Sequence, residues 1–268
     1  KRAEEAIPIL EAITLNRIAP DAEVWAMLGR AHLASGTPAL ALSALNEALQ
    51  IDPRQAENRA LRGSLLRQIG DLDGALADYQ TAARLSPADA SIAYAKGLVH
   101  LQLGQIPEAE QALARAAATL PEPAGLQLLH ALLAHTLGQT EAAEASLLKY
   151  QTAIPEKRNQ AARYLAYLLG QTEPGPEASD EVSQYIRGDL TRKQALDTAG
   201  RAQTPELARR QICATAFWMA QHAHRQGEPD AYQALLKIAV NLGHPDLTEF
   251  QLAKWQLEQT RPQSTKQK

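Results

Sequence analysis

Apolar side chains return every three or four residues along most of this chain, the spacing that gathers them on one face of an α-helix. Short polar clusters with glycine or proline interrupt the runs, and they fall at a fixed interval. Pro53, Pro87, Pro121 and Pro155 are each 34 residues apart. Gly29, Gly63 and Gly97 keep the same step, with Ala131 in fourth place. Gly36, Gly70, Gly104 and Gly138 form another series, as do Ala41, Ala75, Ala109 and Ala143, and Leu45, Tyr79, Leu113 and Leu147. The pattern predicts a two-helix unit of 34 residues repeated four times.

Each recurring position has a physical role. Small residues at Gly29 or Ala41 let the two helices of one hairpin approach closely. Larger ones at Trp25 or Leu45 fill the space between neighbours. The glycine at Gly36 or Gly70 ends the first helix, where a left-handed residue costs glycine little. The proline near the end of each unit stops the second helix from running on.

These residue types at this spacing resemble the tetratricopeptide repeat. Trp25, Leu28, Gly29, Ala41, Leu45, Ala48 and Pro53 stand at its signature positions in the first unit. The resemblance implies an all-α superhelical solenoid, with units at 22–55, 56–89, 90–123 and 124–157 and a half repeat at 158–171. Residues 1–21 read as the second helix of a truncated preceding repeat, with Pro8 tolerated if it lies in the first turn. Residues 172–181, with Gly175 between Pro174 and Pro176, read as a linker.

The region 182–260 reads as a degenerate helical repeat with a capping helix. Short helices are expected at 181–186 and 191–199, and Thr204 with Pro205 makes a good helix start. Residues 213–246 look like a fifth, degenerate repeat, with Tyr232 where a small alanine is expected. Cys213 reads as a small residue at the start of its helix. A final helix over 247–258 would cover the open apolar end of the stack, and the polar residues 261–268 read as a disordered tail.

Composition sharpens the picture. Aromatics make up 4% of the 268 residues and the net charge is −3, with no long basic run, so a nucleic-acid footprint is not expected. One cysteine excludes an intrachain disulfide and a cysteine metal cage. No apolar run approaches the roughly 20 residues that cross a bilayer. Residues 1–10 read as amphipathic helix, not as a signal peptide, so any membrane attachment is expected only through an anchor upstream of this chain.

Candidate chemistry is sparse. His130 and His135 are separated by about 140° around a helix, and His222 and His224 point to nearly opposite sides. Neither pair is set up for a metal, and no metal or cofactor is expected. Nucleophile, phosphate-loop and paired-cysteine motifs are absent from the sequence. Glu4 with Glu5, and Glu141 with Glu144, read as solvated helix faces. Trp25, Trp218 and Trp255 read as packing residues. The chain is expected not to be an enzyme.

By the geometry of the family it resembles, the first helix of each unit lines a groove, and positions 2, 5, 9 and 12 point into it. The candidate binding residues are Glu23, Arg30, Glu57 and Arg67 in the charged half. The apolar half holds Tyr94, Leu98, Leu101, Leu128 and Leu132, with His135 at its end. Such a lining suits an extended or helical apolar peptide segment. The alternative is that the C-terminal helices fold back and bury those leucines. The lysine and asparagine pattern that clamps a C-terminal carboxylate is absent from these positions.

A second resemblance covers the C-terminal region. Tyr185, Ile186, Arg187, Gly188, Asp189 and Leu190, then Ala195 and Leu196, then the hairpin around Gly227, are similar to the NlpI family of periplasmic lipoproteins. The run from Ala239 to His244 through Val240, Asn241, Leu242 and Gly243, followed by Glu249, Phe250 and Ala253, matches as well. That likeness implies an outer-membrane-anchored, homodimeric periplasmic adaptor. Its partners would be a carboxy-terminal processing protease and peptidoglycan hydrolases. The alternatives are a regulatory segment of a larger metallopeptidase or glycosyltransferase, or a chaperone for secretion or pilus assembly.

Overall fold

The helix starts obey the 34-residue step. In the computed structural model, α2 (Ala22–Ala34), α4 (Ala56–Gln68), α6 (Ala90–Gln102) and α8 (Ala124–Thr136) are the first helices of four units. Their partners are α3 (Pro38–Ile51), α5 (Leu72–Leu85), α7 (Ile106–Thr119) and α9 (Thr140–Ala153). The structure describes residues 2–15, 21–120, 124–153, 160–172, 180–244 and 247–260, and no strand occurs among them. Pro121, Pro155, the centre of the expected linker and the tail 261–268 lie outside the described residues. The chain divides into two compact units, Lys1–Val99 and His100–Lys268. The division falls inside α6 and not at 172–181, because the helices after residue 160 pack onto the fourth repeat.

In the first unit each hairpin closes on a small-to-large contact. A methyl group added to Gly29 would stand 2.9 Å from Leu45 Cγ, and one on Gly63 would meet the Tyr79 ring at 3.3 Å. The turn glycines do what the sequence predicts: Gly36 and Gly70 have φ of 73° and 86°. Asp21 caps α2 through Val24 N, and Asp71 caps α5 through Gly74 N. Before the first full hairpin, α1 (Arg2–Leu15) packs on α2, with Leu10, Leu28, Ala31 and Ala44 forming their shared core. Pro8 sits beyond the first turn of α1, so this helix carries a proline in its interior.

One column of the repeat has a second role. Leu28, Arg62 and His130 occupy the same place in the first, second and fourth units, with Lys96 in the third, at the seam where a first helix meets the second helix of the unit before it. Leu28 makes the seam apolar. Arg62 bridges instead, donating from Nε and Nη2 to Asp78 at 2.7 and 2.8 Å and from Nη1 to Asn46 at 2.9 Å. Arg59 adds a bond of 3.2 Å to the same carboxylate, which is buried. Its own hydrogen bonding to Asp78 holds the Arg62 guanidinium above its usual range, against the opposing effect of burial.

The second unit continues from α8 and α9 into α10 (Gln160–Leu168), which packs on both. The short helices α11 (Glu181–Ile186) and α12 (Arg192–Ala199) follow, capped by Asp180 and by a Thr191–Gln194 capping box. Asp180 also takes the Tyr164 hydroxyl and pairs with Arg163 at 3.2 Å, tying α11 back to α10. Helix α13 (Pro205–Arg225) runs unbroken for 21 residues. Cys213 therefore lies mid-helix and fully buried, not at a helix start. With no breaker after the Thr204 cap, the helix extends well upstream of where the repeat register would begin it.

Helix α14 (Pro229–Leu242) completes the hairpin with α13, and Tyr232, in the place of a small residue, packs its ring 4.8 Å from that of His224. The last helix, α15 (Thr248–Gln259), covers α13 and α14 with Leu252 and Ala253 fully buried. Burial pushes the Glu249 carboxyl above the ordinary carboxylate range, opposed by a hydrogen bond from the Trp218 side chain. The neighbouring Cys213 thiol is pushed up to about 12, first by burial and then by the Glu249 charge.

The sign of the Glu249 effect is testable. A carboxyl whose folded value is raised binds its proton more tightly in the folded chain. Its contribution to stability is present at low pH and is lost as pH rises past the unfolded value of about 4.3. Glu249→Gln is expected to raise the thermal midpoint at pH 7 and to leave it nearly unchanged near pH 4. Thermal unfolding at the two pH values reads this directly.

Candidate protein-binding site

Three of the charged residues singled out from the sequence, Glu23, Arg30 and Glu57, meet on the first unit. Arg30 Nη2 lies 2.8 Å from Glu23 Oε1 and Nη1 lies 3.6 Å from Glu57 Oε1, linking α2 to α4. The same Nη1 is 3.5 Å from Asn58 Oδ1, whose own amide is held by Gln55. Glu23 and Glu57 remain mostly solvated, at 62% and 76% side-chain exposure, so two carboxylates flanking Arg30 face water. Arg67, half-buried on α4, interacts with the Tyr79 hydroxyl together with Ser64. Tyr94 and Leu98 are half-buried on α6.

The remaining predicted residues belong to the second unit and are differently placed. Leu101 and Leu132 are buried, at 7% and 6% exposure, and offer no open surface. Leu128 packs against a core of Ala131, Leu147, Tyr150, Ala162, Leu165 and Ala166. Three of those side chains come from α9 and α8, and three from α10, so the later helices cover this first-helix face. His135 is held below its usual value, mainly by burial and also by the charge of His224 on α13. Gln251 on α15 donates to the Gln102 carbonyl at 3.3 Å, across 149 residues of sequence.

Other polar clusters were not singled out from the sequence. Arg225 lies 4.3 Å over the Tyr167 ring, and His222 Nδ1 is 2.8 Å from the Tyr167 hydroxyl, locking α13 to α10. Another cluster has the connectivity of a hydrolase relay: His130 Nδ1 is 2.7 Å from Ser146 Oγ, and Nε2 is 3.2 Å from Glu110 Oε1. All three residues are buried, so a substrate carbonyl has no approach to Ser146 in this arrangement. The relay instead spans α7, α8 and α9 as a polar seam, the counterpart of the Arg62 bridge. The clue lay in the 34-residue column of Leu28, Arg62, Lys96 and His130, read for chemistry and not for size. Among the described residues, no three His, Cys, Asp or Glu side chains converge on a metal-sized site, and no helix is long and apolar enough to cross a membrane.

Two family models described as tetratricopeptide repeat match the sequence, one at residues 2–56 and 94–157 and the other at 63–104. Together they take in more than half of the chain. This is a tetratricopeptide-repeat protein. A solved tetratricopeptide repeat protein from Parabacteroides merdae ATCC 43184 is similar over 94% of this chain and 91% of its own, with TM-score 0.54 and 18% identity. A crystal structure of MamA is similar over 57% of this chain and 90% of its own, with TM-score 0.52 and 21% identity. A further structure, MamA AMB-1, covers 60% and 88% at TM-score 0.51 and 20% identity. At these identities the likeness carries the fold alone. No curated protein matches the chain.

In this tetratricopeptide-repeat protein the Asp78 seam sets a measurable cost. Removing the carboxylate strands two partly buried guanidinium groups. Asp78→Ala is expected to lower unfolding stability by about 2–3 kcal/mol, read from the urea midpoint. A change below about 0.5 kcal/mol, the range of an ordinary surface substitution, would mean that the bridge does not hold the seam.

Proposed function

We propose that this protein is a non-enzymatic adaptor of the bacterial cell envelope that docks protein partners on the charged first-helix face of its first unit. The tetratricopeptide fold is an interaction scaffold. The observation that carries the choice of surface is the contrast between the two units. Glu23 on α2 and Glu57 on α4 are exposed and flank Arg30, whereas Leu101 and Leu132 are buried and Leu128 packs against α10. A segment carrying basic residues complements two solvated carboxylates flanking Arg30.

The envelope location, the homodimeric state and the specific partners rest on the NlpI-like segments between Tyr185 and Ala253. That likeness favours a carboxy-terminal processing protease and cell-wall hydrolases as partners, with the active sites belonging to them. The buried Glu110–His130–Ser146 relay is consistent with that division of labour.

Affinity capture from a bacterial envelope extract tests the reading. The wild-type chain is expected to enrich a processing protease or a peptidoglycan hydrolase, and the double charge reversal Glu23→Lys with Glu57→Lys to lose at least about tenfold of that capture. Recovery of cytosolic proteins only would contradict the envelope role. Undiminished capture by a folded double variant would move the docking surface elsewhere.

A further inference from the structure

A cavity of about 270 Å³ opens between α1 and α3, the second helices of successive hairpins, with α2 as its floor. Trp25 and Leu28 line the floor, Leu40, Ser43 and Ala44 one wall, and Glu11 the other. Leu40 is 52% exposed at the rim, and the Glu11 side chain is 48% exposed. Among the described residues no lysine or arginine pairs with Glu11. Its neighbour is His32, with Nε2 at 3.8 Å, a ring that is charged only when protonated. Described charges on the three helices are mostly negative: Glu5, Glu11, Glu23 and Glu47 against Arg30, which is already held by Glu23 and Glu57.

The next repeat shows what this notch holds when it is filled. Thirty-four residues on from Trp25, Leu28 and Ala44 stand Arg59, Arg62 and Asp78. There the chain supplies its own guanidinium groups, laid between α3 and α5 against a carboxylate at 2.7–3.2 Å. In the first repeat the carboxylate stands on α1 as Glu11 and both guanidinium groups are replaced by Trp25 and Leu28. Space and negative charge remain.

We infer that this cavity takes an arginine side chain from a protein partner, its guanidinium on Glu11 and its aliphatic stem between Trp25 and Leu40. The indole gives the planar cation an attractive wall, and the Ser43 hydroxyl provides a further acceptor at the mouth. Arginine fits better than lysine because its fork can engage the carboxylate through two donors while stacking. The site rests on the reading of the chain as a protein-binding module, but it lies on other residues than the Glu23–Glu57 face.

The test uses the full ¹⁵N-labelled chain, its three tryptophan indole signals assigned with Trp25→Phe, Trp218→Phe and Trp255→Phe. N-acetyl-arginine amide is titrated against N-acetyl-citrulline amide, which keeps the shape and loses the charge. The arginine probe is expected to shift the Trp25 indole signal saturably and to bind about tenfold more tightly than citrulline, a preference that Glu11→Gln abolishes. Ser43→Leu, which fills the cavity, is expected to remove the shift in a chain of unchanged helical content. Equal binding of the two probes, shifts confined to Trp218 or Trp255, or an arginine preference that survives Glu11→Gln would each overturn the inference. Failure here alongside successful partner capture leaves the adaptor reading standing. Saturable arginine binding with no envelope partner leaves the cavity and removes the adaptor.

Discussion

The contact on which everything else depends is a small residue on one helix set against a large one on its partner. Gly29 faces Leu45, and Gly63 faces Tyr79, at distances that leave no room for a methyl group without movement. In the fourth hairpin Ala131 and Leu147 share one core cluster, both fully buried. Dispersion and burial both favour such close approach, since interiors lose stability wherever atoms lack partners. Once two helices meet this closely, the turn between them must be short and left-handed. That is why glycine stands at 36, 70, 104 and 138, all with positive φ.

Hairpins formed in this way still have to recognise one another, and here chemistry varies while geometry repeats. The seam is apolar at Leu28, a guanidinium–carboxylate bridge at Arg62, and a carboxylate–imidazole–hydroxyl chain at His130. Each polar version satisfies its buried groups fully, as it must to avoid a desolvation penalty. Where the column is apolar and its neighbours are small, a cavity is left. The same substitution pattern that relaxes packing in the first repeat therefore creates the most distinctive chemical environment of the first unit.

Much of this was legible in the residues. Helices beginning at Ala22, Ala56, Ala90 and Ala124 follow from the proline and glycine series alone, and the caps at Thr191 and Thr204 follow from side-chain chemistry. What periodicity could not reveal was tertiary. It marks Leu128 and Leu132 as one helical face but does not say that α10 lies over it. It places a repeat register on Cys213 but not the eight further residues by which α13 extends towards Thr204. Trp25 reads as core, yet it is only half-buried, because the small Ser43 and Ala44 opposite it leave its indole open to a cavity. In each case a neighbour distant in sequence, or the absence of one, decides the environment.

The central claim is that close small-to-large pairing sets each hairpin, and a double-mutant cycle on Gly29 and Leu45 tests it most directly. Gly29→Ala alone should destabilise, since the new methyl lands 2.9 Å from Leu45 Cγ. In a Leu45→Ala background the same methyl enters vacated space, and its cost should vanish or reverse, giving a coupling of about 1 kcal/mol or more. Strictly additive effects from urea unfolding of the four chains would show that the two helices do not depend on this contact, and the account would fail at its base.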